Sequence, residues 1–186
     1  MHPLLKRFAT FFFGSYRLVR VYTKNLDTQA QAASEKYDIR ALDWPEQFNA
    51  SDDQRLRDHG WFAGEDAMGF GLWEGELLVC ECVFWTHVRF RDSALGPVAS
   101  DVAVLVDMLT AERARGRGYA HAVLRHAEAA LGRAGYRRVM GQVWHSNLAS
   151  IRTFDKAGWE YSHFVVELFP FRREKPWRCR IPRRRP

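Results

Sequence analysis

The chain has 186 residues, 47% of them hydrophobic and 14% aromatic. This composition excludes long disorder, low complexity and a solenoid of repeats, and one domain with extra segments at its ends is expected. The net charge of +6 is uneven, because residues 25–169 carry 15 Lys/Arg against 21 Asp/Glu while both ends are basic. A basic chain suggests a nucleic-acid or membrane partner. Here that property belongs to the two ends and not to the domain between them.

The three cysteines, Cys80, Cys82 and Cys179, fit neither a disulfide framework nor a zinc site. Their number is odd, and Cys80 and Cys82 lie two residues apart in a strand-like run, where their side chains point the same way. No metal site is therefore expected, and a reduced, cytoplasmic setting is favoured.

Residues 1–35 are predicted to be an extension that precedes the domain. A basic and aromatic helix opens it, and the apolar side of this helix carries Leu4, Leu5, Phe8, Phe11, Phe12 and Phe13. Lys and Arg interrupt the apolar runs, so no stretch approaches the ~20 apolar residues that span a bilayer, and no cleavable signal is expected. Docking of the helix on its own domain or on a partner is favoured, and peripheral contact with a membrane is the alternative. Residues 170–186 are predicted to be a solvated basic tail.

Alternating strand and helix patterns fill the predicted domain, residues 36–169. Strands are predicted at 37–44, on both sides of a turn at 74–76 within 68–90, and at 98–110, 137–145 and 159–169. Helices are predicted at 46–58, where Pro45 suits a helix start, at 118–134, and at 147–158. This order predicts an α/β (α+β) fold with a mixed sheet and helices on its faces.

The loop "AERARGRG" lies between the strand that ends at Thr110 and the helix that begins near Gly118. A helix start has unpaired backbone N–H groups and the positive end of the helix dipole, and glycines let a ligand approach this backbone closely. Together these features bind phosphate, and flanking arginines add charge-assisted contacts. A nucleic-acid site fits less well, because only three arginines cluster here, only Tyr119 offers a stacking ring, and the surrounding domain is acidic. No nucleic-acid partner is expected.

The same loop resembles the coenzyme A loop of the GNAT superfamily of N-acetyltransferases. Residues Arg115 to Ala120, "RGRGYA", match its pattern Arg/Gln-x-x-Gly-x-Gly/Ala, and the pattern also fits Arg113 to Gly118. The later register is preferred because it puts Ala120 in the buried stripe of the helix. A second stretch, "NLASIRTFDKAGW" from Asn147 to Trp159, is similar to the family's Asn-x-x-Ala/Ser-x-x-x-Tyr/Phe-x-x-x-Gly-Phe/Trp helix. The resemblance covers roughly residues 37–169 and implies a GNAT-like, mostly antiparallel central sheet.

The resemblance implies that acetyl-CoA binds along the strand and the loop. The pantetheine arm would pair with the backbone of Met108, Leu109 and Thr110, and the Leu109 amide would polarise the acetyl carbonyl. The pyrophosphate would be held by the backbone of Arg115, Gly116, Arg117, Gly118, Tyr119 and Ala120. Asn147 would bind the cofactor arm or an ordered water, although it suits a plain helix N-cap equally well. Phe154 would pack against the arm.

Acetyl transfer to an amine also needs acid–base chemistry, since alkylamines have a pKa near ~10.4. The candidate bases are Asp107 on the cofactor strand, Glu81 on a neighbouring strand, and His145 at the end of the following strand; each also suits a structural role. Many members of the family carry a Tyr, the general acid to the thiolate, where this chain has Phe154. A Phe has no proton to donate, so Tyr161 and His145 are the candidate replacements.

The sequence does not name the acceptor. The acceptor classes considered are an aminosugar, a protein amine and a small polyamine-like metabolite. Four tryptophans suit either stacking on a sugar ring or burial in the core: Trp61, Trp73, Trp85 and Trp144. The predicted function is N-acetylation by direct transfer from acetyl-CoA in a ternary complex, with a homodimer as a further expectation. The alternative is a non-catalytic GNAT-like module that binds coenzyme A and acts through its basic ends.

Overall fold

Eight strands form one sheet in this computed structural model, which describes residues 15–27, 36–91, 93, 96–169 and 176–183. The strands are β1 (Ser15–Asn25), β2 (Asp38–Leu42), β3 (Ala67–Glu74), β4 (Leu77–Trp85), β5 (Val102–Thr110), β6 (Arg138–Trp144), β7 (Glu160–Phe169) and β8 (Trp177–Pro182). Their order in the sheet is β2-β3-β4-β5-β6-β1-β7-β8. Only β5 and β6 run parallel, and every other neighbouring pair is antiparallel.

Helices cover both faces of the sheet. They are α1 (Gln54–Asp58), α2 (His87–Phe90), α3 (Tyr119–Arg133) and α4 (Leu148–Lys156), with 3-10 turns at Pro45–Ala50, Gly60–Phe62 and Glu112–Ala114. On one face, α3 buries Val123, Leu124 and Ala127 in the main core with side chains of β3, β4 and β5. On the other face, the segment 45–63 packs Phe48 and Ala63 against Leu78 and Val83 of β4. Leu56 of α1 belongs to the main core as well, and the site described below lies where the segment 45–63 and α4 approach β5.

The predicted mixed fold is confirmed, and most elements lie where the sequence placed them. The structure has the strands predicted at 37–44, 98–110, 137–145 and 159–169 and the helices predicted at 118–134 and 147–158, with ends that differ by a few residues. The predicted hairpin within 68–90 is β3 and β4, but its second strand ends at Trp85, and α2 follows. The single helix predicted at 46–58 is wrong, because Ser51, Asp52 and Asp53 separate a 3-10 turn from α1.

The expectation that residues 1–35 stand apart from the domain is wrong for residues 15–25. They form β1, which fills the sheet between β6 and β7. Val19 and Val21 pack with Val165, and the Lys24 ammonium lies 2.6 Å from a carboxylate oxygen of the buried Glu128. Burial of these alternating side chains stabilises a strand in place of a helix. The predicted apolar helix, at residues 4–13, lies outside the described residues.

Residues 177–182 of the predicted solvated tail are exposed to solvent, but they are part of the domain, because they form the edge strand β8 along β7. The reason is Glu167 of β7, whose side chain is only 4% exposed. Arg178 donates two hydrogen bonds to Glu167, of 2.9 and 2.6 Å, and Arg17 of β1 lies 3.3 Å away. The positive charge of Arg178 therefore balances the buried carboxylate of Glu167, because a buried charge without a partner is strongly destabilising. No helix among the described residues has the length and hydrophobicity needed to span a bilayer.

Candidate functional site

A wedge opens where β5 and β6 separate. The two strands pair only from Val102–Leu105 to Arg138–Gly141, so beyond Leu105 the β6 side of β5 has no strand partner among the described residues. The wedge encloses ≈ 160 Å³ and is lined by Leu105, Val106, Asp107, Met108, Gln142, Val143, Trp144, Asn147, Ser150 and Phe154. Gly141 permits this arrangement, because a Cβ at residue 141 would lie 3.1 Å from ring atoms of both Phe154 and Trp159. An extended ligand could therefore pair with the free edge of β5.

A longer groove continues from the wedge to the glycine loop. It encloses ≈ 590 Å³, shares Met108, Asn147 and Ser150 with the wedge, and is lined by Met108, Leu109, Thr110, Ala114, Arg115, Gly116, Gly118, Tyr119, Ala120, His121, Asn147, Ala149, Ser150, Arg152, Thr153 and Lys156. Of the predicted coenzyme A residues, only Phe154 and Arg117 do not line the groove: Phe154 lines the wedge alone, and Arg117 lies outside both cavities.

The glycine loop presents backbone N–H groups to the groove. Gly116 and Gly118 have φ angles of 79° and 81°, in the left-handed region that other residues rarely adopt, and no atom lies within 4 Å of a Cβ added at either. The first backbone hydrogen bond of α3 is donated by Ala122 to the Gly118 carbonyl. The amides of Tyr119, Ala120 and His121 have no backbone acceptor among the described residues. This is the arrangement that binds phosphate oxygens.

Two of the three loop arginines are held away from the groove by Glu74. Arg113 and Arg117 lie 2.8 and 2.9 Å from the Glu74 carboxylate, and Tyr119 donates a 2.7 Å hydrogen bond to it. The Tyr119 hydroxyl and the two arginines lower the pKa of Glu74. Arg115 lines the groove, which agrees with the later of the two motif registers.

Asn147 and His145, both predicted as catalytic candidates, lie in different environments. Asn147 caps α4 by accepting a 3.1 Å hydrogen bond from the Ser150 amide, and it also lines both cavities. Its two predicted roles are therefore compatible. His145 contacts the Leu18 carbonyl of β1 through Nδ1 at 3.2 Å and lines neither cavity.

Asp107 and Glu81, the other two candidates, lie together with a residue that the sequence analysis did not select. In the β4–β5 register Val83 is opposite Asp107 and Glu81 is opposite Leu109, so the two carboxyl groups are diagonal neighbours on one face of the sheet. His59, in the turn after α1, reaches this face, and its Nδ1 lies 2.6 Å from Asp107 Oδ2. The binding atoms of all three residues lie within 4.8 Å of one another. No local sequence signal marks His59, because only the packing of segment 45–63 on the sheet brings it there.

Burial decides the protonation of the two carboxyl groups. Glu81 is fully buried, and neither of its oxygens has a donor among the described residues. Burial and the neighbouring Asp107 carboxylate raise the pKa of Glu81 well above 4.5, so we assign the neutral form to Glu81. Burial also raises the pKa of Asp107, and the contact with His59 opposes that shift. The pair therefore shares one negative charge, which we place on Asp107.

His59 and Asp107 are arranged as a hydrogen-bonded pair and not as two ligands of one metal ion. Two ligand atoms on a tetrahedral zinc ion with bonds of about 2.0 Å lie roughly 3.3 Å apart. The 2.6 Å contact between His59 and Asp107 is shorter than that separation and matches a charge-assisted hydrogen bond.

Replacement of Glu81 by glutamine should flatten the pH dependence of stability. Because its pKa is raised, Glu81 stabilises the folded state fully below pH 4.5, and this contribution is lost as the pH rises towards its folded pKa. The wild-type free energy of unfolding should fall with pH by up to about 1.4 kcal/mol per pH unit in that range, and Glu81→Gln should remove this slope. Urea unfolding between pH 4.5 and 8 measures it, with the exposed Glu112→Gln as the control. Equal slopes in all three proteins would contradict the assignment of a neutral Glu81.

Aromatic side chains surround the site unequally. Trp144 lines the wedge, whereas Trp61 is 59% exposed and stacks on Phe62, beside His59. Trp85 donates a hydrogen bond to the Phe62 carbonyl, and Trp73 packs in the same core of segment 45–63.

Phe154 is buried and stacks on Tyr22 of β1, with ring centroids 5.1 Å apart. Tyr161 contacts the ring of the same Tyr22 and lines neither cavity. It is therefore not positioned to replace a general acid at Phe154.

The comparisons with known proteins agree with this architecture. A GCN5-related N-acetyltransferase-like protein from Streptococcus suis aligns over 88% of this chain and 64% of its own, with 17% identity and a TM-score of 0.58. A GNAT-family acetyltransferase from Colwellia psychrerythraea aligns over 89% and 61%, with 17% identity and a TM-score of 0.56. The ribosomal-protein-S18-alanine N-acetyltransferase of Escherichia coli aligns over 66% and 76%, with 18% identity and a TM-score of 0.51. The chain thus spans less than two thirds of the first two structures.

At these sequence identities, the similar structures show only that the fold is shared. The search of curated proteins found no match to the chain. The sequence pattern of the Acetyltransferase (GNAT) family matches residues 33–159, which include the wedge, the glycine loop and the helix that Asn147 caps. With its fold and its groove, this match shows that the chain belongs to the GNAT family of acetyltransferases.

Proposed function

We propose that this protein transfers the acetyl group of acetyl-CoA to a primary amine, directly and within a ternary complex. The observation that carries the proposal is the continuous path from the glycine loop, along the free edge of β5, to the wedge at Asp107. Residues 107–110 span about 10 Å of extended strand, which suits a thin arm that joins a phosphate group to a reactive end. Acetyl-CoA has this shape, with its pyrophosphate at one end and its thioester at the other.

Within this path, the residues of β5 would hold the thioester for attack. The backbone of Met108 and Thr110 pairs with the pantetheine arm, because the backbone groups of a strand alternate between its two edges and Ala111 donates to Val79 of β4. The Leu109 amide faces β4 for the same reason, so it is not placed to donate to the acetyl oxygen as the resemblance implied. Asn147, at the junction of groove and wedge, binds the arm, and Phe154 forms the apolar floor below the thioester. The thiolate that leaves takes its proton from the amine or from water, because Phe154 has none to donate.

Direct transfer is supported by the cysteines. A covalent acetyl-enzyme would need a reactive thiolate near the wedge. Cys80 and Cys82 are fully buried, and burial raises the pKa of Cys80 to about 12 and that of Cys82 well above its usual value. Cys179 lies on the edge strand β8 and lines neither cavity.

The acceptor is proposed to be an aminosugar or a protein amine. It would approach β5 from the side of segment 45–63, where Trp61 and Phe62 form an aromatic wall beside His59. Exposed aromatic faces of this kind bind sugar rings and apolar side chains. The three free cysteines support the cytoplasm as the location of the reaction.

Replacement of Gly118 by tryptophan should abolish acetyl-CoA binding. The indole would occupy the groove at the start of α3 and would prevent close approach of the pyrophosphate. Isothermal titration calorimetry of the intact protein with acetyl-CoA tests this expectation. Gly135→Trp is a matched control, since Gly135 also has a positive φ, of 94°, and open surroundings, but lies outside the groove. If the wild-type protein binds no acetyl-CoA, or if both variants lose it equally, the proposed function fails.

A further inference from the structure

The further inference concerns His59 and the proton that the acceptor amine must lose. The 2.6 Å contact between His59 Nδ1 and Asp107 Oδ2 joins an imidazole to a carboxylate. Because the ionised carboxylate can only accept, Nδ1 carries the hydrogen, and the neutral ring has its lone pair on Nε2. Nε2 makes no hydrogen bond to any residue that the structure describes. A neutral histidine held in this way by a carboxylate presents the lone pair of its other ring nitrogen as a proton acceptor.

The position of the pair relates it to the reacting groups. Asp107 lines the wedge, and His59, which itself lines neither cavity, contacts Asp107 from the side of segment 45–63, the side proposed for the acceptor. The His59 side chain is 34% exposed and that of Asp107 only 12%, so His59 is the member of the pair that a substrate amine and solvent can reach. The stacked rings of Trp61 and Phe62 lie beside it and would position the rest of the acceptor.

The titratable groups around the pair leave it a single negative charge. Glu81 of β4 is buried and neutral, and Cys80 and Cys82 of the same strand stay protonated because burial raises the pKa of both thiols. Glu128 of α3 is balanced by Lys24 at 2.6 Å. A positive charge that forms on His59 is therefore matched by the one charge on Asp107.

We propose that His59 is the general base of the acetyl transfer, with Asp107 as the carboxylate that orients it and Glu81 as the neutral acid behind Asp107. The inference rests on the function proposed above. An N–H bond of the acceptor ammonium breaks, and the proton moves to His59 Nε2. The free amine then forms a C–N bond with the acetyl carbonyl carbon, the C–S bond breaks, and a second amine proton ends on the coenzyme A sulfur. The proton on His59 leaves to solvent, so the products are the amide, coenzyme A and one released proton.

The tautomer of His59 tests the pairing without any acceptor. Long-range 1H–15N spectra of the intact protein at pH 8 should show neutral His59 with its hydrogen on Nδ1. Asp107→Leu removes the acceptor of that hydrogen and should shift the ring towards the Nε2–H form, whereas His163, on β7, should not change. A wild-type His59 in the Nε2–H form would overturn the inference.

Two amines of different basicity test the proton transfer itself. His59→Asn places an amide nitrogen where Nδ1 lies, so it keeps the hydrogen bond to Asp107 but offers no base. Acetylation of ethylamine at pH 7 should fall at least about 100-fold. Acetylation of hydroxylamine, which is already neutral at that pH, should change little. Free imidazole should restore ethylamine acetylation by His59→Ala, and His163→Ala, a half-exposed histidine outside both cavities, should act as wild type.

The outcomes separate the inference from the function on which it rests. If His59→Asn retains ethylamine acetylation, or loses both amines equally, His59 is not the base although the protein is an acetyltransferase. If the wild-type protein binds acetyl-CoA but acetylates neither amine, the proposed transfer to a primary amine is contradicted. The tautomer of His59 then still decides whether the pair exists as described.

Discussion

Replacement of Asp107 by asparagine should lower kcat for amine acetylation by about 10²- to 10⁴-fold, the range in which general acid–base groups contribute. The variant loses the one negative charge that the His59–Asp107–Glu81 group shares, so an imidazolium at His59 is no longer stabilised. The change removes no volume, and Asp107 lies at the wedge and not along the glycine loop. Acetyl-CoA affinity should therefore stay close to that of the wild type while kcat falls.

Steady-state kinetics with a saturating alkylamine, together with calorimetry of acetyl-CoA binding, separates these two effects. Asp101→Asn is the matched control, because Asp101 is exposed and lies just before β5, at the far end of the strand from the wedge. A kcat for Asp107→Asn within a few-fold of the wild-type value would show that no carboxylate at this position is needed.

Replacement of Lys24 by methionine should lower the free energy of unfolding by about 3 kcal/mol, the low end of the range for breaking a buried ion pair. Lys24 donates to Glu128 and to the Ala157 carbonyl, at 2.6 Å each, and Trp159 donates to the other oxygen of Glu128. Without Lys24, the Glu128 carboxylate is buried with the Trp159 indole as its remaining donor among the residues that the structure describes. We choose the low end because the Lys24 side chain is 20% exposed.

Urea unfolding measures this loss. Arg40→Met is a suitable control, since Arg40 and Asp38 form an ion pair on β2 in which both side chains are about half exposed, and its loss should leave the midpoint unchanged. The double variant Lys24→Met/Glu128→Leu should recover much of the stability, because no unpaired charge is then buried. If Lys24→Met is as stable as the wild type, the ion pair between Lys24 and Glu128 contributes nothing to holding β1 in the sheet.

The sequence predicted elements whose patterns are local and strongly periodic. Helix α3 carries an apolar stripe and a glycine at each end, so its limits follow from residues 118–135 alone. Strand β1 has an alternating pattern too, but the basic and aromatic residues before it dominate the composition of that segment. Strand β8 has all its described residues exposed, and what retains it is the buried Glu167 of β7. No property of residues 177–182 themselves indicates that partner.

In the candidate site, too, the residues in local motifs could be predicted from the sequence, and those brought together by packing could not. The groove could be predicted because its lining follows from two short motifs, and Asp107 and Glu81 could be selected as acids on adjacent strands. His59 could not, because its contact with Asp107 spans 48 residues and depends on how segment 45–63 packs. Glu81 was selected as a base for its chemistry, and only its complete burial indicates the neutral form.

The place of β1 in the sheet bears on how the chain folds. Lys24 contacts residues 104 and 133 positions later in the chain, and β1 pairs along its length with β6 and β7. A ribosome releases β1 long before either partner strand, so β1 waits unpaired while most of the domain is made. Contacts of such long sequence separation fold slowly. Until β1 is inserted, β6 and β7 expose open edges that invite association between chains. A change that delays the insertion of β1 into the sheet, such as a bulky fusion directly before residue 15, should therefore reduce the yield of folded protein. It should affect the stability of the folded protein less.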